Sequence, residues 1–448
     1  MSNYETKDWE ELGPCDIKIE TVKPIPMETV LASDGTCRVR IVCPDQPAYH
    51  NLAYRIQEFL SERANISPPV LNPHQVDIHK NTDHLIALGD LNTNACLAEL
   101  YHAYYVATDA TYPGTGGYVV RTVCDPWGRD CDVLVLGGSD LAGVERATER
   151  LLHVIQIESG RVWVDRLIEV EMGQPFKDRC GQIDLACTPE CRERMIQGTY
   201  LLLEQGQHRG ATPNVAHAGM MYHLTGDERF AQLYLELFKI MYQDAVNDTG
   251  EGPWSPWGFD ADFQSVSMLQ AWDLVEEAPV FSERDRLYIT NHLIAYLGNN
   301  VQHAIDHRPE DAKSCRHNHY TFACLGLLFG ARYFQSHYDY PDARTWLELA
   351  DECFIPQAEA FKANEDCNSY QWLTFSHMLR YAFVRPDPTF IENGKARLCL
   401  DLGIATMDNL GYQVPYGDCR VYNGTFSEIA FYKTVAWALK DPMYSGVL

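Results

Sequence analysis

Two hydrophobic textures divide the chain. Between residues 20 and 170, short apolar runs alternate with amphipathic stretches. "CRVRIVCP" (37–44), "HLIALGD" (84–90), "GGYVVRTVCD" (116–125) and "CDVLVLGGSD" (131–140) are compact and β-branched, which predicts strands. Between them, "AYHNLAYRIQEFLSERA", "NACLAELYHAYY" and "AGVERATERLLHVI" space apolar residues three and four apart, which predicts helices. Strands separated by helices indicate an α/β sandwich domain over 20–170. From residue 188 onward strand signals nearly vanish. Amphipathic segments such as "DERFAQLYLELFKIMYQDA", "SERDRLYITNHLIAYLGNNVQHA" and "HNHYTFACLGLLFGARYF" follow one another with short polar connections. "PTFIENGKARLCLDLGIATMDNL" (388–410) reads as one more helix. In "LTGDERF" a glycine ends one helix and Asp227 is placed to cap the next. No fixed repeat period runs through these helices, which favours a closed (α/α) toroid over an open solenoid for 188–448. The expected fold is thus an α/β N-terminal domain followed by a mainly α (α/α) toroid.

Charge narrows the partners. The chain has 62 acidic against 36 Lys and Arg residues, a net charge of -26. That argues against nucleic acid or an anionic membrane surface, which require a basic face. No apolar run approaches the ~18 residues of a membrane helix. The N-terminus, "MSNYETKDWEELGPCD", is polar and acidic, unlike a signal peptide. The sequence as it stands therefore reads as cytoplasmic, or as periplasmic or secreted with an export signal removed. The 15 cysteines include no CxxC pair, which favours reduced core thiols over disulfides or zinc. Cys180, Cys187 and Cys191 are too irregularly spaced for a zinc signature. The glycines of "LGGSDLAGVERA" sit between a strand and a helix, where phosphates often bind. Without a GxGxxG pattern, a tight strand-to-helix turn explains them. No HExxH, GxSxG or Walker A pattern occurs, and no cofactor is implied.

Four polar islands interrupt the helical half: "GPWSPWGFDADFQ" (252–264), "CRHNHY" (315–320), "NEDCNSYQW" (364–372) and "VPYGDCRVYNG" (414–424). Clusters at helix ends are where a helical domain builds a site. Together they offer Trp254, Trp257, Tyr370, Gln371, Trp372 and Tyr416 beside Asn318, Asn364, Asn368 and Asp418. Aromatic faces with planar polar groups are what a sugar-binding cleft needs. Each residue also has a structural reading: the tryptophans as loop plugs, Asp418 and Arg420 as an ion pair, a histidine as a cap. His317 and His319, two apart, would point to opposite sides of a helix and share a metal only in an extended segment. No metal is expected.

The order of "RHNHY" at a helix mouth, then "NEDCNSYQW", then "VPYGDCR", resembles the heparinase II/III and alginate lyase group of polysaccharide lyases. "TGDERF" and "FSERDRLYITNHL" are similar to the toroid of that group, and the resemblance covers residues 190–448. Residues 20–165 are separately similar to the accessory α/β domain of several glycoside hydrolases and α-glucuronidases. The resemblance implies β-elimination on a polysaccharide or oligosaccharide containing uronic acid. Asn318 or His319 would match the group that neutralises the uronate carboxylate or helps take the proton, and Tyr370 the tyrosine acid/base. Arg316, His317, Trp254, Trp257, Glu365, Gln371, Tyr416, Asp418 and Arg420 would line the substrate. Family members continue into a β-sandwich that often adds a histidine. This sequence ends at "KDPMYSGVL", which the resemblance reads as truncation or a shorter relative. Two other readings stay open. An (α/α) toroid hydrolase would need a carboxylate pair about 6.5–9.5 Å apart for inversion, drawn from Asp260, Asp262, Glu365, Asp366 and Asp418. A glycan-binding protein would need neither set.

Overall fold

The computed structural model describes residues 7–174, 184–247, 261–311, 315–362, 367, 370–410, 412–417 and 426–444. In chain order its strands are β1 (Glu28–Ser33), β2 (Thr36–Cys37), β3 (Val39–Val42), β4 (Val70–Leu71) and β5 (His84–Gly89). They continue as β6 (Tyr118–Val123), β7 (Val133–Gly138), β8 (Gln156–Glu158), β9 (Arg161–Asp165) and β10 (Ile168–Glu171). Helices α1 (Trp9–Leu12), α2 (Pro47–Ala64), α3 (Ala95–His102) and α4 (Leu141–Val154) lie before or between them.

The apolar runs build one six-stranded sheet in the order β10–β6–β7–β5–β3–β4. Its β7, β5, β3 and β4 are parallel, while β6 and β10 are antiparallel at the other edge. Side chains alternate across it, as a two-residue period requires. Ile86 and Leu88 enter a core with α2 and α4. Leu85 and Ala87 enter the opposite core with α3. Burial on both faces explains why these strands read as continuous apolar runs. A second, antiparallel sheet, β2–β1–β9–β8, is not announced by the hydrophobic pattern. Its strands are short and partly exposed, so their alternation carries little signal.

The glycine turn before α4 is filled by protein. Asp140 caps the helix, accepting from Gly143 N at 2.8 Å and from Gly116 N at 2.9 Å. A Cβ at Gly143 would stand 2.1 Å from the Gly117 carbonyl, so the glycine permits close packing. The turn's own carboxylate occupies the place a phosphate would take.

The second half is helical: α5 (Pro189–Glu204), α6 (His208–Thr225), α7 (Glu228–Asn247), α8 (Ala261–Val275), α9 (Glu283–Asp306) and α10 (Asn318–Tyr338). Then come α11 (Asp342–Ala358), α12 (Tyr370–Val384), α13 (Thr389–Glu392), α14 (Lys395–Ala405) and α15 (Phe426–Leu439). Helices α6, α8, α10, α12 and α15 pack each on the next as one row, with α7, α9 and α11 flanking them. Flanked on several sides, α10 is buried over most of its circumference and is correspondingly apolar. Residues 388–410, expected as one helix, are two. They break at Asn393–Gly394, where Gly394 takes φ +80°, a left-handed turn that no helix continues through.

Among the contacts that join the halves are direct hydrogen bonds, such as Arg121 to the His223 carbonyl and the Tyr112 hydroxyl to the Leu224 carbonyl, and two larger features. Residues 9–23, of which only Trp9–Leu12 are helical, lie against the helical layer. Trp9 stacks on Tyr288 at 4.9 Å and donates to Asp285 at 2.8 Å, and Asn291 accepts from the Lys18 and Ile19 amides. Between sheet and helices runs a buried charge network. Lys23 meets Glu276 at 3.0 Å and Asp273 at 3.5 Å; Arg286 adds to Glu276 at 2.9 Å and Arg332 to Asp273 at 3.0 Å. Burial alone would discharge Lys23, but Glu276 and Asp273 outweigh it and hold the ammonium charged. Beside it, burial raises the Glu277 carboxyl to about 7 against the pull of Arg121 and Lys23. Its Oε1 accepts from Cys124 N at 3.2 Å, and its Oε2 is buried without a partner. Among the described residues, no helix is long and apolar enough to cross a membrane.

Candidate functional site

The opening of α10 shows what "CRHNHY" does locally. His317 is the residue before the helix, with extended backbone at φ -104° and ψ 165°. Asn318 begins the helix and is buried, and its carbonyl accepts from the Thr321 hydroxyl at 3.1 Å. Arg316 is only 1% exposed. Its amide donates to Gln357 Oε1 at 2.7 Å, and its guanidinium donates to the Cys353 and Glu352 carbonyls at 3.2 and 3.3 Å. Both carbonyls lie in the C-terminal half of α11, and that of Glu352 lacks its intrahelical donor because Pro356, four residues on, has no N–H. Expected at the ligand, this arginine instead clamps α11 to the start of α10.

His317 and His319 meet two histidines that the sequence reading passed over. His303, in the last turn of α9, and His307, the residue that follows the helix, stack at 4.0 Å. His307 lies 5.7 Å from His317 and 5.9 Å from His319, and His319 lies 6.2 Å from His303 (ring centroids). Phe263, in the first turn of α8, packs edge-on to His319 at 5.0 Å. The missed signal is His-x-x-x-His, which puts both rings on one helix face.

Tyr370 and Gln371 open α12. Tyr370 is 40% exposed, whereas Gln371 is buried and donates to the Tyr416 hydroxyl. Deeper in the helix, His377 Nδ1 pairs with Thr321 Oγ1 at 2.9 Å, and the His377 ring packs on Phe322 at 4.2 Å. Burial, helped by Arg380, holds the His377 imidazole neutral. Since Thr321 is the fourth residue of α10 and His377 the eighth of α12, the parallel α12 begins about one turn, roughly 6 Å, further out. Tyr370 therefore stands above the level of Asn318. Cys367, just before it, is disulfide-bonded, which modifies the expectation of reduced thiols; the other twelve described cysteines are free.

The described parts of the four islands thus gather at one end of the helical row. Phe263, the 316–319 segment, Tyr370 with Gln371, and Tyr416 are connected by the contacts above. The N-termini of α8, α10 and α12 all face this end and give it a positive field. Trp254, Trp257, Glu365, Asp366, Asp418, Arg420 and Asp260 lie outside the described residues, as do Cys180 and the side chain of Asp262. Among the described residues, no three His, Cys, Asp or Glu side chains converge as a bound metal requires. No protein-family model matches the sequence, and no curated protein matches it significantly.

Proposed function

We propose that the protein is a polysaccharide lyase acting on a uronic-acid-containing glycan by β-elimination, with the helical row as the inner wall of an (α/α) toroid and the site at its mouth. The observation that carries the reading is the pairing of two parallel helix openings. Asn318 and His319 begin one, Tyr370 and Gln371 the other, and Thr321–His377 fixes their offset. β-Elimination breaks C5–H, forms C4=C5 and expels the glycosidic oxygen from C4 with a proton. The C5 carbanion is accessible only when the adjacent carboxylate is neutralised. The Asn318 carboxamide and the positive end of α10 are suited to that task. His319 takes the C5 proton, and Tyr370, more exposed and one turn further out, delivers a proton to the departing oxygen. Tyr416, oriented by the Gln371 amide, holds the neighbouring sugar through its exposed hydroxyl end.

The test follows ultraviolet absorbance of the conjugated unsaturated uronate on a panel of chondroitin, heparan, hyaluronan, alginate, ulvan and glucuronate-capped plant glycans. An absorbance rise that Tyr370→Phe and Asn318→Ala both abolish is the expected result. New reducing ends without absorbance would move the assignment to hydrolysis, and silence in both assays would leave a glycan-binding role.

A further inference from the structure

The geometry points to a binding site for a small organic ammonium ion in a cavity of about 330 Å³ where α10 turns into α11, at the opposite end of α10 from Asn318. The ligand class is a primary ammonium on a short aromatic or branched apolar body. The proposal does not depend on the lyase reading.

Each side of the cavity contributes one part. The floor is a face of α9, with Ile294, Gly298 and Val301 at four- and three-residue spacing. The wall is aromatic: Tyr340 and Trp346 stand 5.5 Å apart, and both pack on Phe334, at 5.8 and 5.6 Å. Trp346 is buried behind this wall, and Tyr340 is half-buried beside the cavity. The rim is charged, with Asp342 at the start of α11 and Asp16 and Lys18 on the segment laid over the helices. Asn291 fixes that segment by accepting from the Lys18 and Ile19 amides at 2.6 and 2.9 Å, so the rim is preformed.

Charge decides the sign of the ligand. Two carboxylates meet one ammonium at the rim, inside a chain of net charge -26. Lys18 lies 2.7 Å from Asp16. Among the described residues the Asp342 carboxylate takes part in no ion pair, and the Tyr340 hydroxyl is 3.4 Å from it. A ligand cation beside Asp342 therefore stands next to the Tyr340 ring, where carboxylate attraction and the ring quadrupole add. A neutral ligand gains the apolar floor alone, and an anion is repelled by both carboxylates.

Gly298 is an independent sign that the space is used. It lies in the interior of α9, where glycine destabilises a helix relative to alanine. Its φ is not positive, and a Cβ would meet no atom within 4 Å, so neither backbone nor packing requires a glycine there. What the missing side chain provides is depth at the cavity floor.

Full-length protein is titrated calorimetrically at low ionic strength with benzylammonium and with its neutral and anionic counterparts, benzyl alcohol and benzoate. Benzylammonium should bind with a Kd on the order of 1 mM or below, and the counterparts at least about 5-fold more weakly. Asp342→Asn should weaken benzylammonium about 3–10-fold, and Lys18→Met, which removes a competing cation, should tighten it about 2–5-fold. Gly298→Leu fills the floor and should remove binding, with Tm at or above the parent's. If that variant folds poorly, the opposite signs of Asp342→Asn and Lys18→Met decide. No binding well above that Kd, equal affinity for benzyl alcohol or benzoate, or unaltered binding in a folded Gly298→Leu each overturn the proposal. So does tighter binding of Nα-acetyl-lysine methylamide, whose straight stem stands for a partner protein's side chain.

Discussion

The seam between sheet and helices and the rim of the helical row are both polar, and they are polar in opposite ways. At the seam, Lys23, Asp273, Glu276, Arg286 and Arg332 are full charges, nearly all shielded from water, and each has an opposite charge within reach. At the rim, Asn318, His319, Tyr370 and Tyr416 are groups without permanent charge on the first turns of helices or a loop, and Tyr370 and Tyr416 reach solvent. A buried charge holds a fold together only while its partner remains, because a lone ion in the interior is costly. A group of adjustable protonation at an open helix end can exchange protons with a ligand. The same helices, α8 and α10, supply both regions from opposite ends: Asp273 and Arg332 are late in their helices, Phe263 and His319 early.

Substitutions separate the two regions. Tyr370→Phe should reduce uronate elimination by about 10²–10⁴-fold, the contribution of a positioned acid/base, with Tm within a degree or two of the parent. An equal rate with an unchanged pH profile would remove the tyrosine from the chemistry. Lys23→Met should cost about 1.5–3 kcal/mol of stability, because Asp273 and Glu276 each lose one charged partner and keep only Arg332 and Arg286. A urea midpoint close to the parent's would show that the network is not what joins the halves.

Glu277 tests the seam through pH. Burial raises its carboxyl from the ordinary 4.5 to about 7, so the native state binds a proton that the unfolded chain releases. Stability from this group is therefore whole below pH 4.5, is lost as pH rises through the window to about 7, and is level above it. Glu277→Gln imitates the protonated acid and should flatten that slope, gaining on the order of 2–3 kcal/mol at pH 8. Urea midpoints at pH 5, 6, 7 and 8 measure it; parallel slopes in parent and variant would refute the assignment. The smallest effect belongs to an exposed pair: Arg55→Ala, whose partners Glu145 and Glu149 stand 3.2 and 3.5 Å away, should shift stability by no more than about 0.5 kcal/mol.

The sequence by itself determined the two textures and most of the elements. Strands buried on both faces and helices apolar around most of their surface leave patterns that need no partner to be read, and Leu85–Leu88 and α10 are such cases. It also located the polar islands, because helix ends carry their own signals. Tertiary structure alone decided what those islands face. Arg316 and His317 are neighbours in the chain, yet one clamps α11 and the other joins a histidine cluster, since that depends on which helix packs alongside. His303, His307 and His377 gain their meaning from α10, which lies far from them in sequence or on another helix. The small second sheet and the segment 9–23 depend on long-range pairing for the same reason. Periodicity records which side of an element is buried; only the packed fold records against what.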